Sequence, residues 1–567
     1  MTKKDSLKYA DKEKADILQR QFSSVFTKEP DGELPEFQQR CNSRIVFSKV
    51  SAEDVKKKLL HLNPDKSIGP DDVHARLLIE LAEDLAGPLS ALFNETMEQG
   101  TIPSDWKQAY ISSIFQKGSR SHAENYRPIS LTSIICKVME SFIRDAVLEH
   151  MVQHGLLSSK QFGFIAGRST VTQLLVYLDK CAEDVAQGKV VASIYLDFQK
   201  AFDTVPHRRL MRKLKAYGIS GAVLEWIREY LKDRTQVVVV NGEKSFEAPV
   251  ISGIPQGTVL GPLLFVVYIS DLLDNISSNG YMYADDTKIF RKISSQSDAE
   301  ALQSDIQKLE EWTEKWLLRF HPDKCHVLSL GKIENTMYTH RYRICKQEME
   351  HVFEEKDLGV TFDSDMSFRE HIANKINKAN SITGLIRRSF TFLDCDSFTK
   401  LYCAFVRPHL EYGQSIWSPH LLKDIDAIEN VQMRATKLVD GLHNLSYSER
   451  LQKLNLPTLA YRRLRGDLIE MFKHVHMYDA STVAPSFQRR LRPSRRHEYQ
   501  LHEPVPNDGT RGVQANSFHF RIPKIWNNHP RHVVSASSVD SFKTGLDDLW
   551  AHQAIKYDHR ATLQIDL

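Results

Sequence analysis

The sequence feature that most restricts the fold is a pair of adjacent aspartates between two apolar segments. Tyr281–Ala284 precedes Asp285 and Asp286, and Thr287–Phe290 follows them. Both flanking segments are rich in residues that favour strands, so the pair is predicted at the tip of a β-hairpin. Adjacent carboxylates repel each other unless a cation lies between them, and Mg²⁺ binds one or two carboxylates together with substrate phosphates. The alternative is a solvated turn.

A second acidic position follows another apolar segment. Val190–Leu196 is a predicted strand that leads directly into Asp197, and a helix-like segment follows it. Asp197 either completes a site of three carboxylates and two metal ions or caps the following helix. In a two-metal site one ion activates an attacking hydroxyl and the other steadies the leaving group. Asp203 is interpreted as mainly structural.

A loop rich in glycine and proline, from Ser252 to Pro262, is the third unusual segment. Its composition predicts a rigid loop that another backbone or a base can approach closely. The alternative is a turn that starts a helix in a packed core, because proline suits the first helical turn. Just before this loop, Val237–Val240 followed by Asn241 and Gly242 predicts a hairpin.

These three elements occur in the order, and at about the spacing, of a reverse transcriptase, and the sequence resembles that family. Leu196–Val205 is similar to the first palm motif, Gly253–Pro262 to the second, and Tyr283–Asp286 to the catalytic Asp-Asp box. Ala284 favours this family over most viral RNA-copying polymerases, which usually have glycine there. Further segments resemble non-LTR retrotransposons of the jockey-like and chicken-repeat-like groups. They are Phe115–Gly118, Asn125–Leu131, Gln161–Phe164, Phe320–Cys325, Lys356–Gly359, Arg407–Gly413 and Trp417–Pro419.

The resemblance implies a two-metal catalytic centre. Asp197, Asp285 and Asp286 would be the catalytic residues and would hold two Mg²⁺, with Mn²⁺ as a substitute. Phe202 would sit under the incoming sugar and select dNTP over rNTP, or it is a core aromatic residue.

The resemblance also implies contacts with the nucleotide. Lys117 and Arg127 would clamp the triphosphate, since phosphate favours charge-assisted contacts with lysine and arginine. Gln256 and Gly257 would help to hold the nucleotide and the template. Lys324 would protonate the leaving pyrophosphate as a general acid, or it forms a surface ion pair.

Positive charge is concentrated in the C-terminal third of the chain. Residues 371–567 contain 27 Lys and Arg against 19 Asp and Glu. Such a region suggests a polyanionic partner, and a solvated basic face explains the charge equally well. Under the resemblance, its helices would grip the template–primer duplex. The predicted nucleic-acid contacts are Arg168, Arg462, Arg463, Arg465, Arg489, Arg490 and Arg492.

The predicted fold is α/β, a right-hand polymerase with fingers, palm and helical thumb. The expected parts are a linker-like segment at 1–50, a helical extension at 51–107, fingers and palm at 108–363, a helical thumb or connection at 364–478 and a basic extension rich in helices and loops at 479–567. Seven widely spaced cysteines without a C-x-x-C pair argue against a disulfide scaffold or a zinc ribbon.

The predicted function is that of an RNA-directed DNA polymerase. It would extend a DNA primer 3′-hydroxyl on an RNA template with dNTPs by two-metal phosphoryl transfer. The alternative is a catalytically inactive RNA-binding relic or accessory factor. The sequence shows no endonuclease, so either the chain is a truncated or mispredicted piece of an element or a separate endonuclease is its partner. The sequence shows no signal peptide or apolar span either, so we expect no membrane partner. The resemblance implies a location in cytoplasm and nucleus, because a retroelement enzyme meets its RNA in the cytoplasm and its DNA target in the nucleus.

Overall fold

The computed structural model describes residues 2–3, 6–331, 340–478, 487–491, 496–504 and 513–564. Its central feature is a five-stranded sheet. Glu350–Val352 and His326–Leu330 pair in parallel, and the other neighbouring strands of this sheet are antiparallel. Val190–Leu196 lies in the middle of this sheet and is buried on both faces, which explains its nearly continuous apolar sequence. In spatial order the strands are Glu350–Val352, His326–Leu330, Val190–Leu196, Asp286–Ile293 and Asn279–Tyr283.

The strands of a second sheet come from segments before and after Val190–Leu196 in the sequence. Its order is Tyr126–Leu131, Gln108–Phe115, Arg234–Val240 and Glu243–Lys244, with Ala248–Val250 also paired to Arg234–Val240. Val240 pairs with Glu243, so the predicted hairpin is confirmed. Asn241 and Gly242 both have positive φ, of 48° and 89°, as the tight turn requires. Two-stranded pairs are Thr2–Lys3 with Ser6–Leu7, Arg343–Ile344 with Gln347–Glu348, and Glu354–Asp357 with Val360–Asp363.

Helices surround both sheets and dominate the C-terminal part. Up to residue 316 they are Asp11–Ser23, Ala52–Leu60, Ala75–Glu80, Ala82–Gln99, Ile134–Gln153, Thr170–Ala186, Ala201–Thr204, His207–Ala216, Ala222–Leu231, Gly261–Ile269 and Gln296–Trp316. From residue 369 they are Arg369–Ser389, Cys395–Leu401, Arg407–Glu411, Gln414–Trp417, Leu422–Ala435, Tyr447–Leu454, Leu459–His476, Val513–Asn516, Phe518–Asn527, Arg531–Val534 and Val539–Leu549. None of the helices in the described part of the chain is long and apolar enough to cross a membrane.

Two hydrophobic cores lie on opposite faces of the central sheet. Ile289 belongs to one core and its neighbour Phe290 to the other, because side chains alternate between the two faces of a strand. The first core includes the helix Gly261–Ile269, and the second includes the helices from residue 369 onwards. The end of the sheet at which Val190–Leu196 ends and Asp286–Ile293 begins therefore lies between these two cores.

Candidate active site

The aspartate pair lies at a two-residue turn between two antiparallel strands. Tyr283 pairs with Asp286, so Ala284 and Asp285 form the turn and Asp286 begins the next strand. Ala284 has a φ of 55°, a conformation that few residues other than glycine adopt. The predicted hairpin is therefore confirmed, and the two carboxylates project from its tip.

A neighbouring loop holds this turn in place. The N–H of Phe162 donates to the carbonyl of Met282 at 2.8 Å. The buried Gln161 accepts hydrogen bonds on Oε1 from the N–H groups of Gly163 (2.8 Å) and Ala284 (2.9 Å). A Cβ atom at Gly163 would lie only 2.4 Å from the backbone nitrogen of Ala284. The turn that carries Asp285 thus depends on close backbone contact with a glycine.

Asp197 lies at the end of the adjacent strand. Leu196 pairs with Thr287, which places Asp197 beside the start of the strand that Asp286 begins. Its carboxylate accepts a hydrogen bond from the Lys324 ammonium at 2.9 Å, and both side chains are partly exposed. Lys324 therefore forms the surface ion pair that was one of its two predicted roles, and it does so with a residue of the site itself.

The electrostatic environment of the aspartates favours a bound cation. Burial raises the pKa of the Asp285 carboxyl, and the nearby Asp197 charge adds to this effect. Asp286 keeps an exposed edge, yet surrounding protein atoms and then the charges of Asp285, Asp357 and Asp197 raise its pKa to about 7. Carboxylates that repel one another in this way form a donor set of hard oxygens, which suits Mg²⁺ or a similar divalent ion.

Two adjoining clefts contain the predicted site residues. The larger cleft has a volume of about 570 Å³, and the smaller has a volume of about 240 Å³. Asp197, Lys117 and Lys324 line both, while Asp286 lines the smaller one. The larger cleft is also lined by Arg127, Phe202, Gln256 and Asp285. Charged groups that are far apart in the sequence therefore meet around two clefts that share lining residues.

Gln256 connects two charged side chains in the larger cleft. Its Oε1 accepts a hydrogen bond from Arg127 Nε at 2.5 Å, and its Nε2 donates to Asp203 Oδ1 at 2.8 Å. Asp203 thus orients Gln256, which in turn orients the exposed guanidinium of Arg127. Gly257 has a φ of 100°, and a Cβ atom there would lie 2.9 Å from the carbonyl oxygen of Ser130. Gly257 therefore lets the loop approach the strand Tyr126–Leu131.

Phe202 is a core aromatic residue, which is one of its two predicted interpretations, and its predicted selection of dNTP stays a prediction. Its ring stacks on Phe265 with centroids 4.3 Å apart, and only 8% of its surface is exposed. The exposed part lines the larger cleft. Phe202 is therefore a core aromatic residue whose edge is also available to a ligand in the cleft.

Comparison with known proteins places these residues in one family. The family model described as reverse transcriptase (RNA-dependent DNA polymerase) matches residues 115–371. Residues 115–371 form a reverse transcriptase domain. All three aspartates and the side chains that line the larger cleft lie within it.

The reverse transcriptase domain has relatives in mobile elements of insects. The chain is 28% identical to the RNA-directed DNA polymerase from mobile element jockey of Drosophila melanogaster, over 79% of this chain and 49% of the relative. It is 26% identical to the jockey polymerase of Drosophila funebris, over 69% of this chain and 44% of the relative. The chain is also 26% identical to the probable RNA-directed DNA polymerase from transposon BS of D. melanogaster, over 74% of this chain and 48% of the relative. The chain spans about half the length of these relatives, and the resemblance to this group is confirmed.

A buried ion pair beside the site of the reverse transcriptase domain was not predicted. Lys288 lies two residues after Asp286, on the same face of the strand, and pairs with Asp357. Both side chains are buried, and the Lys288 ammonium lies 4.5 Å from the centre of the Tyr177 ring. The available signal was a lysine directly before the apolar pair Ile289 and Phe290, but the sequence did not identify its partner.

Arg168 supports the reverse transcriptase domain from within. Its guanidinium donates to the carbonyl of Ser158 at 2.7 Å and to the carbonyl of Gln161. It therefore holds the loop that braces the aspartate turn. Its predicted contact with the template stays a prediction.

The arginines beyond the reverse transcriptase domain are mostly engaged inside the protein. Arg462 pairs with Glu411, and Arg465 pairs with Asp547 at 2.6 Å. Arg463 is buried, which leaves it without the exposed surface that a contact with a nucleic-acid backbone requires.

Two further arginines of the predicted set also have partners in the chain. Arg490 pairs with Glu503 at 2.7 Å, and Arg489 lies over the Tyr499 ring. Arg492 lies outside the described residues. The predicted nucleic-acid contacts of Arg489 and Arg490 stay predictions.

Proposed function

We propose that this chain is an RNA-directed DNA polymerase that extends the 3′-hydroxyl of a DNA primer on an RNA template. The observation that carries the proposal is the cleft that joins Asp197 and Asp285 to the exposed basic side chains of Lys117 and Arg127. A triphosphate needs both kinds of group, since carboxylates hold cations and basic side chains neutralise phosphate oxygens. The family match and the names of the relatives support the same activity.

In this proposal the two sheets and the C-terminal helices have separate tasks. The central sheet is the palm, because it carries the three aspartates at one edge. The sheet that includes Gln108–Phe115 and Tyr126–Leu131 belongs to the fingers, which present Lys117 and Arg127 to the cleft. The helices between residues 369 and 476 form the thumb, and those from residue 513 belong to the C-terminal extension. Such an enzyme would meet its RNA in the cytoplasm and its DNA target in the nucleus.

The side chains around the cleft suggest how a nucleotide is held. Asp197, Asp285 and Asp286 would hold two Mg²⁺ or Mn²⁺. When bound, such ions activate a hydroxyl and stabilise the charge on a leaving pyrophosphate. Lys324, whose ammonium lies 2.9 Å from Asp197, would donate a proton to that leaving group.

Arg127 and Lys117, which also line the larger cleft, would bind the triphosphate oxygens. The Gln256 amide fixes the direction of the Arg127 guanidinium through a 2.5 Å hydrogen bond. Asp203 fixes the Gln256 amide in turn. This series of hydrogen bonds pre-orients the phosphate contact before the nucleotide arrives, which lowers the entropy cost of binding.

Primer extension tests the proposed activity directly. The folded chain is incubated with poly(rA), oligo(dT), dTTP and Mg²⁺, and we expect extended primers that disappear when the metal is removed. The Asp285→Ala/Asp286→Ala variant is expected to lose activity by at least about 1,000-fold, because it removes two of three metal ligands. Its binding of the primer–template, measured by fluorescence anisotropy, should persist. A folded wild-type chain that binds the primer–template without extending it would instead be an RNA-binding relic.

Phe202→Val is expected to raise the use of rNTP relative to dNTP by about 10-fold or more. The smaller side chain opens the cleft where a 2′-hydroxyl would lie, and a pocket discriminates such small groups by about 10–200-fold. The ratio is measured by single-nucleotide incorporation of UTP and dTTP. Phe265→Val is the matched control, since it loosens the same stacked pair from the core side and should leave the ratio unchanged. An unchanged ratio in Phe202→Val would contradict the role.

A further inference from the structure

Three potential metal ligands meet far from the aspartates in the sequence. Cys41, His150 and His154 each offer one ligand atom, and these atoms all lie within 4.8 Å of one another. The two histidines are one helical turn apart at the C-terminal end of the helix Ile134–Gln153. Cys41 comes from the N-terminal segment, in a stretch without helix or strand. Cys41 and His150 are buried, whereas His154 is exposed.

The surroundings of His150 prepare it to act as a ligand. Its Nε2 lies 2.8 Å from the carbonyl oxygen of Tyr217, so this nitrogen carries the hydrogen and donates it. The other ring nitrogen, Nδ1, then keeps its lone pair. Histidines that bind metals commonly donate their second ring N–H to a backbone carbonyl in this way, which fixes the tautomer and the ring orientation.

Cys41 is held at this place by its backbone. Its N–H donates to the carbonyl of Ala216 at 3.2 Å, and the N–H of Ile45 donates to the carbonyl of Gly218 at 3.0 Å. Gly218 has a φ of 86°, and a Cβ atom there would lie 2.3 Å from the carbonyl oxygen of Ser43. The N-terminal segment therefore packs directly on the loop that also holds His150.

We propose that Cys41, His150 and His154 form a Zn²⁺ site that fastens the N-terminal segment to the helix Ile134–Gln153. A thiolate and two imidazoles are ligands that zinc prefers, whereas Mg²⁺ prefers oxygen. Donors around a tetrahedral zinc lie about 3.5 Å apart, so side-chain rotations that shorten separations of up to 4.8 Å would close the site. A water would complete the tetrahedral coordination as the fourth ligand. On binding, the Cys41 S–H bond breaks, the thiolate keeps the electron pair and the proton goes to the buffer.

Cobalt and zinc titrations of the full chain test this site. The protein carries no histidine tag and is kept in excess Mg²⁺, which occupies the carboxylate site and not a thiolate. We expect one tightly bound equivalent of Co²⁺ with a near-ultraviolet thiolate-to-metal charge-transfer band, and displacement of Co²⁺ by Zn²⁺. Cys41→Ser should remove the band. His154→Gln, an exposed substitution that should not disturb folding, should weaken zinc binding by at least about 10-fold.

Matched controls separate this site from other cysteines, histidines and carboxylates. Cys395→Ser and His532→Gln alter exposed residues elsewhere and should bind zinc as the wild type does. The Asp285→Ala/Asp286→Ala variant should also keep the site. Zinc should slow proteolysis within residues 24–50 in the wild type and not in His154→Gln. Equal zinc affinity in His154→Gln and wild type, or a cobalt spectrum without the thiolate band, would overturn the proposal.

Discussion

Gly163→Ala is expected to reduce primer extension by at least about 100-fold while the protein remains folded. The new Cβ would lie 2.4 Å from the Ala284 nitrogen and 3.0 Å from the Tyr283 carbonyl carbon. Both atoms belong to the backbone, so no side chain can rotate away and the turn itself has to shift. Asp285 is the next residue in that turn. A displacement of about 1 Å at a catalytic group costs about 100-fold in rate.

Rates on poly(rA) and oligo(dT) measure this effect, and circular dichroism confirms that the variant is folded. Gly87→Ala is the matched control, because Gly87 lies inside the helix Ala82–Gln99 and a Cβ there meets nothing within 4 Å. It should extend primers at the wild-type rate and be slightly more stable, since alanine is the better helix former by about 1 kcal/mol. Wild-type activity in Gly163→Ala would show that the turn tolerates displacement.

Lys288→Met is expected to lower the free energy of unfolding by about 3–5 kcal/mol. Lys288 and Asp357 are both buried and pair with each other. Removing the ammonium leaves the Asp357 carboxylate buried without its counter-ion, and that uncompensated charge is the source of the cost. Urea denaturation followed by tryptophan fluorescence measures the change.

Two further variants test whether the lost stability comes from leaving a buried charge without its partner. Lys288→Met/Asp357→Leu removes both charges, so most of the lost stability should return. Lys400→Met breaks an exposed pair with Asp396 on a helix surface and should cost less than about 1 kcal/mol. If Lys288→Met cost no more than Lys400→Met, the pair would not be stabilising the region beside Asp286.

Local sequence patterns were sufficient for the parts of the site that depend on neighbouring residues. Apolar segments on both sides of Asp285 and Asp286 predicted the hairpin, and the structure has that hairpin with its turn at Ala284 and Asp285. The apolar strand before Asp197 was predicted in the same way and ends where expected. In each case the alternation of side chains and the turn chemistry lie within about ten residues, so the sequence contains the whole cause.

Interactions between distant segments could not be read from the chain. Gln256 meets Asp203 and Arg127, and Lys288 meets Asp357, through packing that brings different elements together. The burial of an arginine cannot be predicted from composition either. Arg463 adds a positive charge to the count, and only the structure reveals that it is buried.

The sequence alone thus determined the strands and the turn, because these follow from local periodicity and residue type, and its resemblance to reverse transcriptases predicted side chains that line the cleft. Only the tertiary structure decided which charges face the cleft and which are paired inside. The close approach of Gly163 to Ala284 is likewise a tertiary contact. The physical reason is that a charge or a missing Cβ acquires its role from atoms that contact it, and most of those atoms belong to remote parts of the chain.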